Sequence, residues 1–425
     1  EDIMLRYLKS AVFALVATAA ALAAMTAMPA TAQDKQPIKI GFGMAETGPL
    51  GPNGKSALLA MEIWVEETNA KGGLLGRPVQ LVHYDDQSNP STVPGIYTKL
   101  LDVDKVDVIV GGYGTNMLAP AMPIVMQRKK AFLGLYGLGV NSDFKYDRYF
   151  AMIPSGPEPK TSFTKGFFDT AMAQTPKPKT VAIVAADAEF SKNASDGARE
   201  NARKAGLTIV YDKSYPPSTT DFAPIVRAIQ ATNPDLVVIC SYPLDSVGMV
   251  LAANEAKLNP KMIGGAMVGL QSTVFKTKLG PALNGYMNYD FWLPAKSLIF
   301  KGTAEFMQKY QDRAAKAGVD PLGYYMAPFS YSYLDVLGQT ITATNSVDDA
   351  KLADYLRKTT FKTIVGDVAF GKGGEWAKSR VFQAQFRGIK GNGVDQFKNP
   401  DTLAIITPAE YKSGNVIYPF EKARQ

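Results

Sequence analysis

Three short runs carry residue types that could do chemistry. Gly48-Pro49-Leu50-Gly51-Pro52-Asn53-Gly54-Lys55-Ser56 has the glycines and the Lys-Ser pair of a phosphate-binding loop. That motif needs a glycine where this chain has Pro49, so nucleotide binding is not expected, although the run ends at a helix start whose free N–H groups can meet a polar ligand. Asp85-Asp86 resembles a paired-carboxylate acid/base site. Adjacent strand residues point to opposite faces, so the pair reads as a strand-ending turn. His83, the only histidine, reads as a packed or surface residue, and Cys240, the only cysteine, reads as buried beside Val237-Val238-Ile239. One His and one Cys exclude the usual zinc sites and leave no Cys/His or Ser/His/Asp set to spare. No catalytic residue, metal or cofactor is expected, and the chain is not read as an enzyme. An exported hydrolase would need a nucleophile, base and metal set that these residues do not provide.

The third run, Gly112-Tyr113-Gly114-Thr115-Asn116, follows a strand and precedes a helix. Glycines let a backbone approach a ligand closely, and the Thr115 hydroxyl beside free helix N–H groups suits a carboxylate oxygen. A plain helix cap would use the same residues. Tyr113, Tyr136, Phe190 and Tyr242 all fall at strand ends or in the loops that follow. Aromatics there either finish the core or stack on a ligand, and open α/β sheets bind ligands at the carboxyl ends of their strands.

The elements that must position these residues alternate. Strands are expected at 38–44, 79–84, 106–110 and 131–135, with helices at 53–71, 91–103 and 116–128 between them. Gly72-Gly73 stops the first helix. Pro154, Pro157 and Pro159 mark a linker. The alternation then resumes with strands at 180–185, 207–211 and 236–240 and helices at 191–205, 221–231 and 244–257. Helices at 302–317 and 323–345, one strand at 363–370 and a β-rich tail follow. The expected fold class is α/β, with two doubly wound parallel-sheet lobes and a chain that crosses between them more than once.

Residues 1–32 read as an export signal. Met4 is the expected initiator, Arg6 and Lys9 form a basic start, and 11–25 is apolar except for Thr18. Ala30-Thr31-Ala32 is a small-x-small cleavage site, so the mature chain is expected from Gln33, in the periplasm of a double-membraned bacterium. No cysteine lies near that site, so no lipid anchor is expected. Roughly 390 residues then remain, enough for two or three domains. A hydrophobic fraction of 46% allows a large core. The net charge of +7 is scattered, which argues against a nucleic-acid partner.

On these residues the chain resembles the periplasmic binding proteins of branched-chain-amino-acid-type ABC importers. The resemblance rests on the 38–44 strand with Thr47-Gly48-Pro49, on Glu66-Glu67-Thr68-Asn69-Ala70-Lys71-Gly72-Gly73-Leu74-Leu75-Gly76-Arg77, and on Tyr84-Asp85-Asp86. Thr220-Asp221-Phe222 and Asn233-Pro234-Asp235 extend it. It implies the type I periplasmic binding fold, with two lobes joined by three crossovers, here expected near 155, 288 and 361. Lobe one would comprise 33–155 plus 288–360, and lobe two 156–287 plus 361–425.

The resemblance also assigns roles. Thr115 matches the hydroxyl that holds a ligand carboxylate. Tyr242 and Phe190 match aromatics of the second lobe, and Asn53 falls where amino-acid binders often place an aromatic. Two departures follow. The loop Leu135-Tyr136-Gly137-Leu138-Gly139 lacks the usual hydroxyl, and the carboxylate that usually receives an α-ammonium falls on Ala266, beside Met267. A buried ammonium without a counter-charge is costly, by several kcal/mol at a rough estimate. The expected ligand is therefore an aromatic or other apolar carboxylate without an α-amine, captured by a monomer and delivered to an inner-membrane ABC permease. The alternatives are an amino-acid ligand with Asp245 or Glu189 as counter-charge, and a periplasmic sensor on the same fold.

Overall fold

The computed structural model describes residues 36–425. The export signal expected over 1–32 lies outside them. The first half of the chain builds a five-stranded parallel sheet in the order β2-β1-β3-β4-β5, from β1 (Ile38–Met44), β2 (Val79–Asp85), β3 (Val108–Val110), β4 (Phe132–Gly134) and β5 (Tyr149–Ala151). β1 lies inside this sheet and all of it but Lys39 is buried, as a strand covered on both faces requires.

Helix α1 (Gly51–Ala70) covers one face and ends where Gly72 and Gly73 take positive φ. The helices Thr303–Ala317 and Ala327–Thr344 return to pack on α1. Arg313 grips Glu66 through two hydrogen bonds of 2.8 and 2.9 Å, and Tyr331 donates to Glu67 at 2.7 Å. The late helical segments expected from sequence therefore complete the first lobe.

The second sheet has seven strands in the order β14-β13-β10-β9-β8-β6-β7. β6 (Thr180–Ala186), β7 (Thr208–Tyr215), β8 (Leu236–Ser241), β9 (Met262–Met267) and β10 (Met287–Asp290) run parallel. β13 (Phe382–Phe386) and β14 (Leu403–Thr407) add an antiparallel edge, so this lobe is not purely parallel.

Two boundaries differ from expectation. The crossover expected near 288 falls inside β10, whose hydrogen bonds to β9 and β13 keep it in the second sheet, and the chain leaves only after Asp290. The single strand expected at 363–370 is a hairpin of β11 (Thr360–Thr363) and β12 (Gly366–Ala369). Gly366 turns it with φ +88°, and it packs on the helix Ala327–Thr344 of the first lobe, so the third crossover follows Ala369 rather than 361. The first and third crossovers touch each other: Ala151 N donates to Gly374 O at 2.9 Å and Arg380 N to Pro154 O at 2.8 Å. Among the described residues, no helix is long and apolar enough to cross a membrane.

Candidate functional site

The carboxyl ends of both sheets converge on one crevice. In the first sheet β1 and β3 are neighbours although β2 lies between them in sequence, and open α/β sheets offer a ligand crevice where strand order reverses in this way. Leu50 comes from the loop after β1, Tyr113 to Asn116 from the loop after β3, and Tyr136 from the loop after β4. β6 and β8 have the same relation in the second sheet. Phe190 follows β6, Tyr242 follows β8, Val268 follows β9, and Tyr289 stands on β10. Ile153 and Tyr325 close the lining from crossover and turn segments. The crevice encloses about 350 Å³, counting space open at its mouth.

The backbone of the β3 loop is shaped by glycine. A Cβ on Gly112 would stand 2.0 Å from Gly43 O, and Gly114 has φ +103°. This turn delivers Thr115 to the first position of a short helix, where its own N–H and that of Asn116 have no intrahelical acceptor. Thr115 is 2% exposed, and its Oγ1 accepts from Leu138 N at 3.0 Å. The hydroxyl proton is thus left to donate to an anion.

The rings form a connected wall. Tyr136 lies 5.2 Å from Tyr325 and 6.3 Å from Tyr113, and Phe190 lies 5.9 Å from Tyr242 and 6.2 Å from Tyr289. Tyr136 Oη donates to Tyr325 O at 3.0 Å, and the Tyr289 and Tyr325 hydroxyls are 3.2 Å apart. Burial pushes the Tyr113 phenol up to about 12 and raises Tyr136, Tyr242, Tyr289 and Tyr325 further. All five stay neutral donors and do not repel an anion.

Among the described residues, no charged side chain lines the crevice. Asp245 Oδ2 accepts from Tyr215 Oη at 2.9 Å and from Tyr242 N at 3.1 Å, so it caps the helix Pro243–Glu255. Glu189 is exposed, and partial desolvation together with Asp143 raises its carboxyl. Neither reaches the crevice lining. Asp290 is buried behind the rings; burial pushes it up to about 6, against the opposing pull of Lys276. The Asn116 amide oxygen is a buried acceptor without a partner.

Of the residues singled out from sequence, Tyr113, Thr115, Asn116, Tyr136, Phe190 and Tyr242 are brought together. Five are placed elsewhere. Asn53 stands behind Tyr113 and donates to its hydroxyl at 2.9 Å, because the first turn of α1 faces inward there. Gly137 and Leu138 lie behind the lining, and Leu138 acts through its backbone, binding Thr115 and accepting from Asn193 Nδ2 of the other lobe at 2.8 Å. Ala266 and Met267 are fully buried in β9, paired with Cys240 and Ser241. The residue that emerges from that strand is Val268, two positions beyond the alignment.

Sequence reasoning missed Tyr289 and Tyr325. Tyr289 immediately precedes the second crossover, so proximity to a lobe junction was a signal for it; Tyr325 lies in the turn before the helix Ala327–Thr344 and meets Tyr289 and Phe291 only through the fold. Asp85 is a turn organiser: its Oδ1 accepts from Glu46 N, Thr47 N and Gln87 N at 2.8 to 3.1 Å, which fixes the loop that carries Leu50. His83 Nδ1 meets Glu46 Oε1 at 2.8 Å, outside the crevice.

Comparison with known proteins agrees with this architecture. The sequence profile of the periplasmic binding protein family matches residues 37–391. The chain is 26% identical over 308 residues to Leu/Ile/Val-binding protein homolog 7 of Brucella melitensis, covering 70% of this chain and 75% of that protein. Its fold is similar to that of the branched-chain amino acid transporter substrate-binding protein LivJ from Streptococcus pneumoniae, solved with isoleucine, with TM-score 0.71 and 18% identity over 90% of this chain and all of that one. It is equally similar to an ABC transporter solute-binding protein from R. palustris solved with 4-hydroxybenzoate, with TM-score 0.71 and 19% identity over 84% of this chain and 94% of that one.

Proposed function

The chain belongs to the periplasmic binding protein family, and from that membership we propose that it captures an aromatic or other apolar carboxylate without an α-amine for an ABC importer. It acts in the periplasm, as a monomer, and hands its ligand to the inner-membrane permease. The observation that carries the ligand class is the lining itself, which among the described residues has several neutral phenols and no carboxylate. An α-ammonium buried there would lose its hydration with only neutral acceptors in exchange, which costs several kcal/mol at a rough estimate. The residue that lines the crevice after β9 is Val268 rather than Ala266, and it is uncharged too.

A carboxylate fares better. The Thr115 hydroxyl and the N–H groups of Thr115 and Asn116 supply charge-assisted hydrogen bonds, and such bonds hold a carboxylate in its ionised form. The rings of Tyr113, Tyr136, Phe190 and Tyr242 stack on the ligand body. The free amide oxygen of Asn116 suits a ligand hydroxyl. Micromolar capture needs only about 8 kcal/mol net. The ligand touches both lobes, so it favours the closed arrangement in which Asn193 of one lobe bonds Leu138 of the other.

The test is calorimetry on ligand-stripped protein with matched pairs: phenylalanine and phenylpropionate, leucine and 2-oxoisocaproate, then benzoate and 4-hydroxybenzoate. Binding of the acids with their amino partners at least tenfold weaker is expected. The opposite order would overturn the reading and assign an amino acid, the class named in the relatives' descriptions.

A further inference from the structure

We propose that the ligand extends beyond the crevice, its apolar part running into an adjoining groove, so that the favoured solutes are carboxylates with a long apolar tail. This rests on the carboxylate reading above. The groove encloses about 1270 Å³, again counting space open to solvent, against about 350 Å³ for the crevice. Leu50, Asn116 and Tyr242 line both, so a ligand seated in the crevice already stands at the inner end of the groove.

The groove wall explains an otherwise misplaced stripe. Helix Pro243–Glu255 buries Met249, Val250 and Ala253 in the core. A second apolar set, Leu244, Val247, Gly248 and Leu251, recurs at the i, i+3, i+4, i+7 spacing that normally marks a buried face. Here that set borders the groove: Val247 is buried at its base at 5% exposure, while Leu244 and Leu251 stand 58% and 46% exposed above it. Phe222 supports it from below: a Cβ on Gly248 would stand 2.4 Å from its ring.

The first lobe supplies the facing wall through Pro49, Leu50, Ser88 and Asn116. The carboxylate of Asp245 is engaged by Tyr215 and Tyr242, and the cation of the groove, Lys278, is exposed. A docked protein segment would have to plug the mouth of the crevice, whereas a ligand tail leaves through it.

The experiment is calorimetry with benzoate and 4-alkylbenzoates from methyl to heptyl, on the wild type and on Leu244→Ser/Leu251→Ser. Both substituted residues are exposed and lie outside the crevice. Each buried methylene should tighten binding about three- to fourfold in the wild type. The double variant should bind benzoate as before while its chain-length slope flattens. A flat wild-type slope with benzoate bound would overturn the tail and leave the carboxylate reading standing. An unchanged slope in the variant would overturn it too. Failure of every carboxylate, with amino acids bound, would overturn both.

Discussion

Thr115→Val is the sharpest probe of the crevice. The substitution keeps the shape of a side chain that is 2% exposed and removes one oxygen. That oxygen has two roles. It accepts from Leu138 N at 3.0 Å, and its proton is free to donate to the ligand. Losing a hydrogen bond to a charged group costs about 1.5–3 kcal/mol, so carboxylate affinity should fall roughly 10- to 150-fold. Independently of ligand, the stranded Leu138 N–H should cost about 1–3 kcal/mol of stability. Thr115→Ser keeps the oxygen and should recover most of the affinity, with a smaller loss from one buried methyl. Calorimetry with the tightest acid of the panel reads the first effect, and urea unfolding of the stripped protein reads the second. If Thr115→Val binds within twofold of the wild type, or Thr115→Ser is as weak as Thr115→Val, the hydroxyl does not hold the carboxylate.

Three further outcomes are expected. Asn53→Leu leaves the Tyr113 hydroxyl without its donor and should cost about 1–3 kcal/mol of stability, whereas Asn53→Leu/Tyr113→Phe removes both partners and should recover most of it; equal losses in single and double variants would show that the bond is not the cause. Burial raises the Glu375 carboxyl to about 8 despite the opposing hydrogen bond that Ser155 donates to it, so the folded chain holds that proton more tightly than the unfolded chain. Its contribution is complete below about pH 4.5 and is lost as pH rises to 8, on the order of a few kcal/mol; Glu375→Gln should remove that slope in urea unfolding between pH 5 and 8, and an identical slope would refute the assignment. Cys240 is fully buried and burial pushes its thiol up to about 12, so it should resist alkylation at pH 8 until the chain unfolds; fast labelling of the native protein would contradict its placement.

Much of the architecture was legible from sequence because its signals are local. The buried run at 38–44, the helical spacing after Gly51 and the stop at Gly72-Gly73 each fix an element without reference to the rest of the chain. The aromatics and Thr115 could be placed at strand ends for the same reason, and neutrality of the site could be suspected from residue types alone. What sequence could not supply was depth and partnership. Asn53 sits near the site in sequence yet supports it from behind, and Ala266 aligned with a functional position while lying inside β9. Val268, two positions on, lies just past the end of β9 and lines the crevice, so the alignment missed by depth along the chain: Ala266 is still inside the sheet where the next segment has emerged from it. Tyr289 joined the crevice because the chain leaves the second lobe just after it, where the pairing of β10 ends, and Tyr325 because the turn before helix Ala327–Thr344 packs against that crossing. Such contacts depend on groups far apart in the chain. Residue types determined what chemistry was possible, and packing of the two lobes decided which residues meet to perform it.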